Sequence, residues 1–204
     1  MVDSQQHWES VYRSKAADQV GWFQPHAASS LRLVEESADR EAHIIDVGGG
    51  ASVLVDDLLD AGYRNLTVLD LAESALAASR ARLGERAQPV RWIAADITRT
   101  ELPAARYDVW HDRAVFHFLT DPADRARYVT QVLKSVKPGG HVIVAAFGPG
   151  GPLQCAGLDV VRYAPDALHA EFGPSFRLLQ HETAIHHTPA GQEQEYVYCY
   201  CQRV

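Results

Sequence analysis

Cysteine is scarce in this sequence of 204 residues: it occurs three times, as Cys155, Cys199 and Cys201. Cys199 and Cys201 would point to the same side of an extended segment, and no histidine or cysteine stands nearby at metal-finger spacing. Buried free thiols are expected, and no metal is implied. No apolar run approaches the roughly 18 residues of a membrane span. The polar, acidic start MVDSQQHWES is not a secretory leader, so a cytoplasmic protein with no membrane partner is expected. Lysine and arginine form no cluster, and the formal net charge is −7. A broad phosphate-binding face, and with it a nucleic-acid partner, is therefore not expected. Internal repeats, low-complexity tracts and long linkers are missing too. The chain reads as one domain, of a length that a single core can serve. Nothing in it specifies an oligomeric state.

What is present is an alternation. From His43 onward, short apolar runs exchange with helical patterns. HIIDV reads as a strand. SVLVDDLLDAG follows as a helix, with Val53, Leu54, Leu58 and Ala61 at helical spacing and Gly62 as its stop. NLTVLD is a second strand and ESALAASRARLG a helix ending at Gly84. VRWIAAD and YDVWHD are the third and fourth strands. The next helix, in DPADRARYVTQVLKSV, has Asp121 as its N-cap and Pro122 in its first turn. KPGG reads as a turn and HVIVAAF as the fifth strand. Such alternation implies an α/β fold, a parallel sheet with helices on both faces.

The two ends break the pattern. After Gly151 a helix is expected around APDALHAEF, followed by FRLLQHETAIHHT and EQEYVYCYCQRV as two strands joined by PAGQ. A short turn between consecutive strands makes an antiparallel hairpin, so the sheet becomes mixed. In the last strand Val197, Cys199 and Cys201 share one face and Tyr196, Tyr198 and Tyr200 the other, as a strand covered on both sides requires. At the other end, Trp8, Val11 and Tyr12 share a helical face, and a second helix from Pro25 carries Leu31, Val34 and Ala38 inward. An N-terminal helical cap (residues 1–40) over the sheet's C-terminal edge is expected, before a ligand-binding core (41–147) and a flap, helix and β-hairpin (148–204).

The stretch DVGGGAS has a carboxylate and three glycines behind a strand. A dinucleotide fingerprint needs a third glycine where Val53 stands. Asp46 would repel a pyrophosphate and suits a ligand carrying an ammonium and a sulfonium. Ligands of open parallel sheets bind beyond the carboxyl ends of the strands. There Asp70 is placed to accept from a ribose diol and Asp96 from an adenine amino group, with Leu71 and Ile97 as a sandwich for the ring. The alternative use of each aspartate is a helix cap or turn former.

DVGGGAS, LTVLDLAESAL, AADI and VKPGGHVIV, in this order, resemble the motifs of class I S-adenosylmethionine-dependent methyltransferases, over roughly residues 40–147. The resemblance implies a Rossmann-like seven-stranded mixed sheet with its last strand antiparallel, and S-adenosylmethionine as cofactor. It places Asp46, Gly48, Gly49 and Gly50 at the methionine end, Asp70 at the ribose, and Asp96 with Ile97 at the adenine. The family's usual third glycine is replaced by Ser52, which can still start a helix. HWESVYRSK…VGWF resembles the entry segment of small methyltransferases, among them elongation-factor lysine and thiol or tellurite methyltransferases. That likeness implies a cofactor or acceptor cavity lined by Trp22 and Phe23.

Methyl transfer from a sulfonium needs an aligned acceptor with a free lone pair. Asp112, His111 and His117 after the fourth strand are the candidates for a polar or base role, His111 beside the cofactor. Asp112 and Arg113 could equally cap the next helix or pair, and His117 could be packed in the core. HDRAVF is not the motif of nucleic-acid amino-methyltransferases, and AAFGPGGP lacks the Asp-Asn pair of metal-dependent catechol-type members. A metal-independent enzyme acting on a small molecule is expected, its acceptor pocket between the cap and GPGGPLQCAGL. A protein lysine methyltransferase is the alternative; a non-catalytic S-adenosylmethionine-binding module and an NAD-dependent oxidoreductase stand further off.

Overall fold

The computed structural model describes residues 4–204. Five parallel strands come first: β1 (Ile44–Val47), β2 (Leu66–Asp70), β3 (Arg91–Ala94), β4 (Tyr107–Arg113) and β5 (Val136–Phe147). A two-stranded hairpin, β6 (Gln154–Cys155) and β7 (Leu158–Asp159), stands apart from the main sheet. The chain ends with β8 (Phe176–His187) and β9 (Glu193–Arg203). The order across the seven-stranded sheet is β3-β2-β1-β4-β5-β9-β8, and β9 runs antiparallel to both its neighbours. The expected mixed sheet with a reversed last strand is what forms. Strand order reverses between β1 and β4, which opens a crevice at their carboxyl ends.

Six α-helices are described: α1 (Ser4–Ser14), α2 (Ala28–Ser37), α3 (Leu54–Asp60), α4 (Glu73–Leu83), α5 (Pro122–Ser135) and α6 (Pro165–Phe172). Leu33 and Val34 of α2, Leu58 of α3 and Leu76 of α4 pack with Ile44, Val68 and Ile143 on one face of the sheet. Val132 of α5 and Leu168 of α6 pack with Ile45, Val142 and Val144 on the other. The alternation in β9 divides as expected, Tyr196, Tyr198 and Tyr200 joining the first core and Val197, Cys199 and Cys201 the second. All three cysteines are free and buried. The Asp121 carboxylate accepts from the Ala123 amide at 2.8 Å with Pro122 opening α5, the cap that the sequence indicates. Among the described residues no helix is long and apolar enough to cross a membrane.

Three local expectations change. The helix expected from Pro25 begins at Ala28, because the Ala27 amide donates to Asp57 at 2.7 Å and His26 bonds the same carboxylate at 2.9 Å. That helix also packs against α3, β4 and β5, on a face of the sheet rather than over its C-terminal edge. KPGG is a bulge inside β5, not a turn before it. Tyr107 pairs with Val136 and Val109 with His141, so the extra residues loop out, with Gly139 at φ +77°. Lys137 holds Asp108 there at 2.8 Å.

Candidate active site

The glycine stretch lies between β1 and α3 and is shaped by what surrounds it. Gly48 takes φ +72°, and a Cβ there would fall 1.9 Å from Val115 Cγ2. A Cβ on Gly50 would fall 2.4 Å from Asp70 Oδ2 and 2.7 Å from the Ala75 methyl. Without one, the Gly50 amide donates to Asp70 at 3.0 Å. Ser52, two residues ahead of α3, accepts from the Leu54 amide at 3.1 Å.

A cavity of about 270 Å³ lies over the carboxyl ends of the central strands. Gly48, Asp70, Leu71, Asp96 and Ile97 line it from the sheet, and Trp8, Tyr12 and Trp22 from the cap. Val115 and Phe118 after β4, and Cys155 and Leu158 of the β6–β7 hairpin, complete its wall. A smaller cavity of about 40 Å³ adjoins, lined by Asp46, Gly49, Ser52, His111, Ser30 and Phe23 among others; Trp22, Gly48 and Arg113 line both. A cavity thus lies between α1 and the segment after β5. That segment is tied down: Gly150 donates to Glu195 at 2.8 Å and Arg162 to the Pro149 carbonyl at 2.8 Å.

Asp70 is buried and accepts from the Gly50 and Ala72 amides, at 3.0 and 2.8 Å. Burial pushes its carboxyl up to about 6, the nearby Asp46 charge adding to the rise and the amides opposing it. Asp46 bonds His111 Nδ1 through Oδ1 at 2.7 Å, and His111 Nε2 lies 2.8 Å from the Ser30 hydroxyl. The second oxygen of Asp46, Oδ2, is buried with no partner. An orphaned carboxylate oxygen inside a protein is costly, so its place beside the glycine stretch marks a missing donor. Asp96 is half-buried and accepts from the Thr98 amide at 2.8 Å and hydroxyl at 2.7 Å. The set fits a ligand with an ammonium near Asp46 and hydroxyls near Asp70, on a bed of backbone left open by the glycines.

Two expected residues are not brought to either cavity. On β4, Asp112 points with Trp110 toward α5, where it is wholly buried. It accepts from the Val115 and Phe116 amides at 2.9 and 3.1 Å and from the Tyr128 hydroxyl at 2.6 Å. Strand alternation decides this, because His111 and Arg113 face the cavities and Asp112 faces away. His117 is wholly buried between the rings of Phe118 and Phe147, each 4.5 Å away. Its Nδ1 accepts from the Phe147 amide at 3.3 Å, and burial, with Arg113 second, pushes its pKa down to about 3. Neither lines a cavity. The walls formed by Trp8, Tyr12, Val115, Phe118, Cys155 and Leu158 were not among the expected site residues. Trp8 and Tyr12 did show as one helical face, but spacing does not say what such a face meets.

Residues 44–140 match a family profile described as a methyltransferase domain. The chain is 24% identical over 143 residues to the eEF1A lysine and N-terminal methyltransferase of Danio rerio, covering 69% of this chain and 21% of that protein. It thus spans about a fifth of the length of the curated relatives it matches. Among solved structures it resembles one described as conversion of a disulfide bond into a thioacetal group during echinomycin biosynthesis. The TM-score is 0.76 at 16% identity, over 98% of this chain and 92% of that one. It also resembles N-methyltransferase NodS from Bradyrhizobium japonicum WM9, with a TM-score of 0.72 at 15% identity over 96% and 97% of the two chains. These likenesses establish the fold, and the ordered motifs and the matched domain lie on its cavity-forming half. Over residues 44–140 the chain is similar to a methyltransferase domain, and its fold is that of the methyltransferase structures it resembles.

Proposed function

We propose that the chain methylates a small molecule without the help of a metal, and that residues 4–204 act as one unit in which α1 and the β6–β7 hairpin close the cofactor-binding core. The observation that carries this reading is the aromatic and apolar wall of the larger cavity: Trp8, Trp22, Phe118, Val115, Leu119 and Leu158. Such a lining, with a few polar groups, suits a flat apolar acceptor.

Asp46, Gly48, Gly49, Gly50 and Ser52 would hold the amino-acid end of S-adenosylmethionine, and Asp70 its ribose. Asp96 with Leu71 and Ile97 would hold the adenine, and Trp22 would close over the junction. When bound, the cofactor supplies a methyl group made electrophilic by its sulfonium. His111, engaged by Asp46 and Ser30 at its two nitrogens, positions Asp46 so that Oδ2 stays free. With Asp112 and His117 sealed in the core, the chain's contribution is alignment and exclusion of water. Among the described residues no three His, Cys, Asp or Glu side chains converge as a metal site would need.

The curated relatives' name makes protein lysine methylation the second reading. Against it, the cavity wall carries the cation Arg113, which opposes an ammonium. Its carboxylates are Asp70 and Asp96, assigned to the cofactor, and Asp124, paired with Arg127. The test is incubation with S-adenosylmethionine and a panel of aromatic thiols, phenols and amines, beside lysine peptides and folded proteins. Methylated small molecules found by mass, with S-adenosylhomocysteine released, are expected. Label on lysine alone, or no turnover by a protein that binds the cofactor, would overturn the reading.

A further inference from the structure

We propose that Arg113 is a subsite for a carboxylate carried by one of the two molecules that meet in the cavities, the cofactor or the acceptor. The inference rests on the functional reading above and names a chemical class for its ligand.

Arg113 ends β4 and lines both cavities. Its guanidinium stacks on the Tyr196 ring, with Cζ 4.4 Å from the centroid, and Nη1 donates to the Trp22 carbonyl at 3.1 Å. Its Nε is buried with no partner. The tyrosines beside it give a ring face and a hydroxyl: Tyr196 stacks on the guanidinium and Tyr198 hydrogen-bonds to it. Among the described residues no carboxylate forms an ion pair with it, whereas Arg32, Arg40, Arg80, Arg82, Arg86 and Arg125 each have one. A guanidinium is charged at every accessible pH and offers five N–H donors in a planar fork. Burying it without an anion is costly. The bonds to Trp22 and Tyr198 engage part of the fork, and neither partner needs a charge. The stacked, half-buried fork at the wall is instead arranged to receive a planar oxyanion through two parallel bonds.

Two sources meet there. The smaller cavity, with Asp46, lies toward the amino-acid end of the cofactor; the larger one, with Asp70 and Asp96, would take its adenosine and, against the aromatic wall, the acceptor. The experiment measures wild-type affinity for S-adenosylhomocysteine and for its decarboxylated analogue, which keeps the amine. It also measures binding of benzoate and benzylammonium to the S-adenosylhomocysteine-loaded protein, and repeats both series in Arg113→Gln and Arg113→Lys.

A loss of tenfold or more on decarboxylation, erased in Arg113→Gln, assigns the subsite to the cofactor. A tenfold preference for benzoate over benzylammonium, erased in Arg113→Gln, assigns it to the acceptor. Arg113→Lys keeps the charge without the fork and retains part of either effect; it stands in for the glutamine variant if that protein does not fold. Absence of both differences in the wild type, or their persistence in the variants, would overturn the proposal. Failure of the wild type to bind S-adenosylhomocysteine at all would instead overturn the cofactor reading beneath it.

Discussion

Asp70 and Asp112 are both buried, both lie at the carboxyl ends of central strands, and both have carboxyls pushed up to about 6 by burial. Asp70 spends two acceptor sites on backbone amides and still lines the larger cavity. Asp112 spends its capacity on two amides and the Tyr128 hydroxyl, and lines neither cavity. A perturbed carboxylate is thus no sign of chemistry by itself. Access to a cavity is what separates Asp70 from Asp112, and it is on this that the proposed role of Asp70 rests.

The contrast breaks most sharply in stability. Asp112→Ala leaves the Tyr128 hydroxyl and two buried amides without an acceptor, and should cost about 3 kcal/mol or more in denaturant unfolding. Cofactor affinity of the folded fraction should stay within a few-fold. A stable Asp112→Ala protein that loses turnover but not cofactor binding would return Asp112 to the acceptor.

A smaller effect is expected at Gly50→Ala. The new methyl meets the Asp70 carboxylate and the Ala75 methyl, so Asp70 must move, and S-adenosylhomocysteine affinity should fall roughly tenfold, about 1.4 kcal/mol. Unchanged affinity would mean that the position of Asp70 does not matter to the ligand.

The two carboxyls also predict a pH dependence. Each binds its proton more tightly folded than unfolded, so each withdraws stability as pH climbs from about 4 to about 6. Ribose hydroxyls would donate to ionised Asp70, so ligand affinity should rise through about pH 6, with protons released on binding near that value. Titration in buffers of different ionisation enthalpy reads the release, and Asp70→Asn should abolish it. The weakest effect is expected at His117→Phe. The swap removes one 3.3 Å bond from the Phe147 amide and should cost about 1 kcal/mol. The pH profile of turnover should not move; loss of the acidic limb, where activity falls as a base is protonated, would restore His117 as a base.

Much of this was legible in the sequence because it depends on short range. The five parallel strands, the Asp121 cap and the two-faced last strand follow from periodicity and from local hydrogen bonding. The aspartates at the cavities were legible because they stand at or next to the carboxyl ends of β1, β2 and β3. The role of Asp112 was not, since it depends on Tyr128 of a helix that packs on the far face. The cavity wall was not either: it joins Trp8, Phe118 and Leu158, which meet only once the chain has folded. The orphaned oxygen of Asp46 is likewise a fact about packing.

The central claim is that Asp70 and the glycine stretch hold S-adenosylmethionine. It is tested most directly by calorimetric titration of S-adenosylhomocysteine, with NAD as control, into wild type and Asp70→Ala. The account predicts tight binding of S-adenosylhomocysteine, none of NAD, and a loss of about a hundredfold in a variant that remains folded, near 2.7 kcal/mol. Equal affinity in the two proteins, or binding of NAD instead, would contradict it.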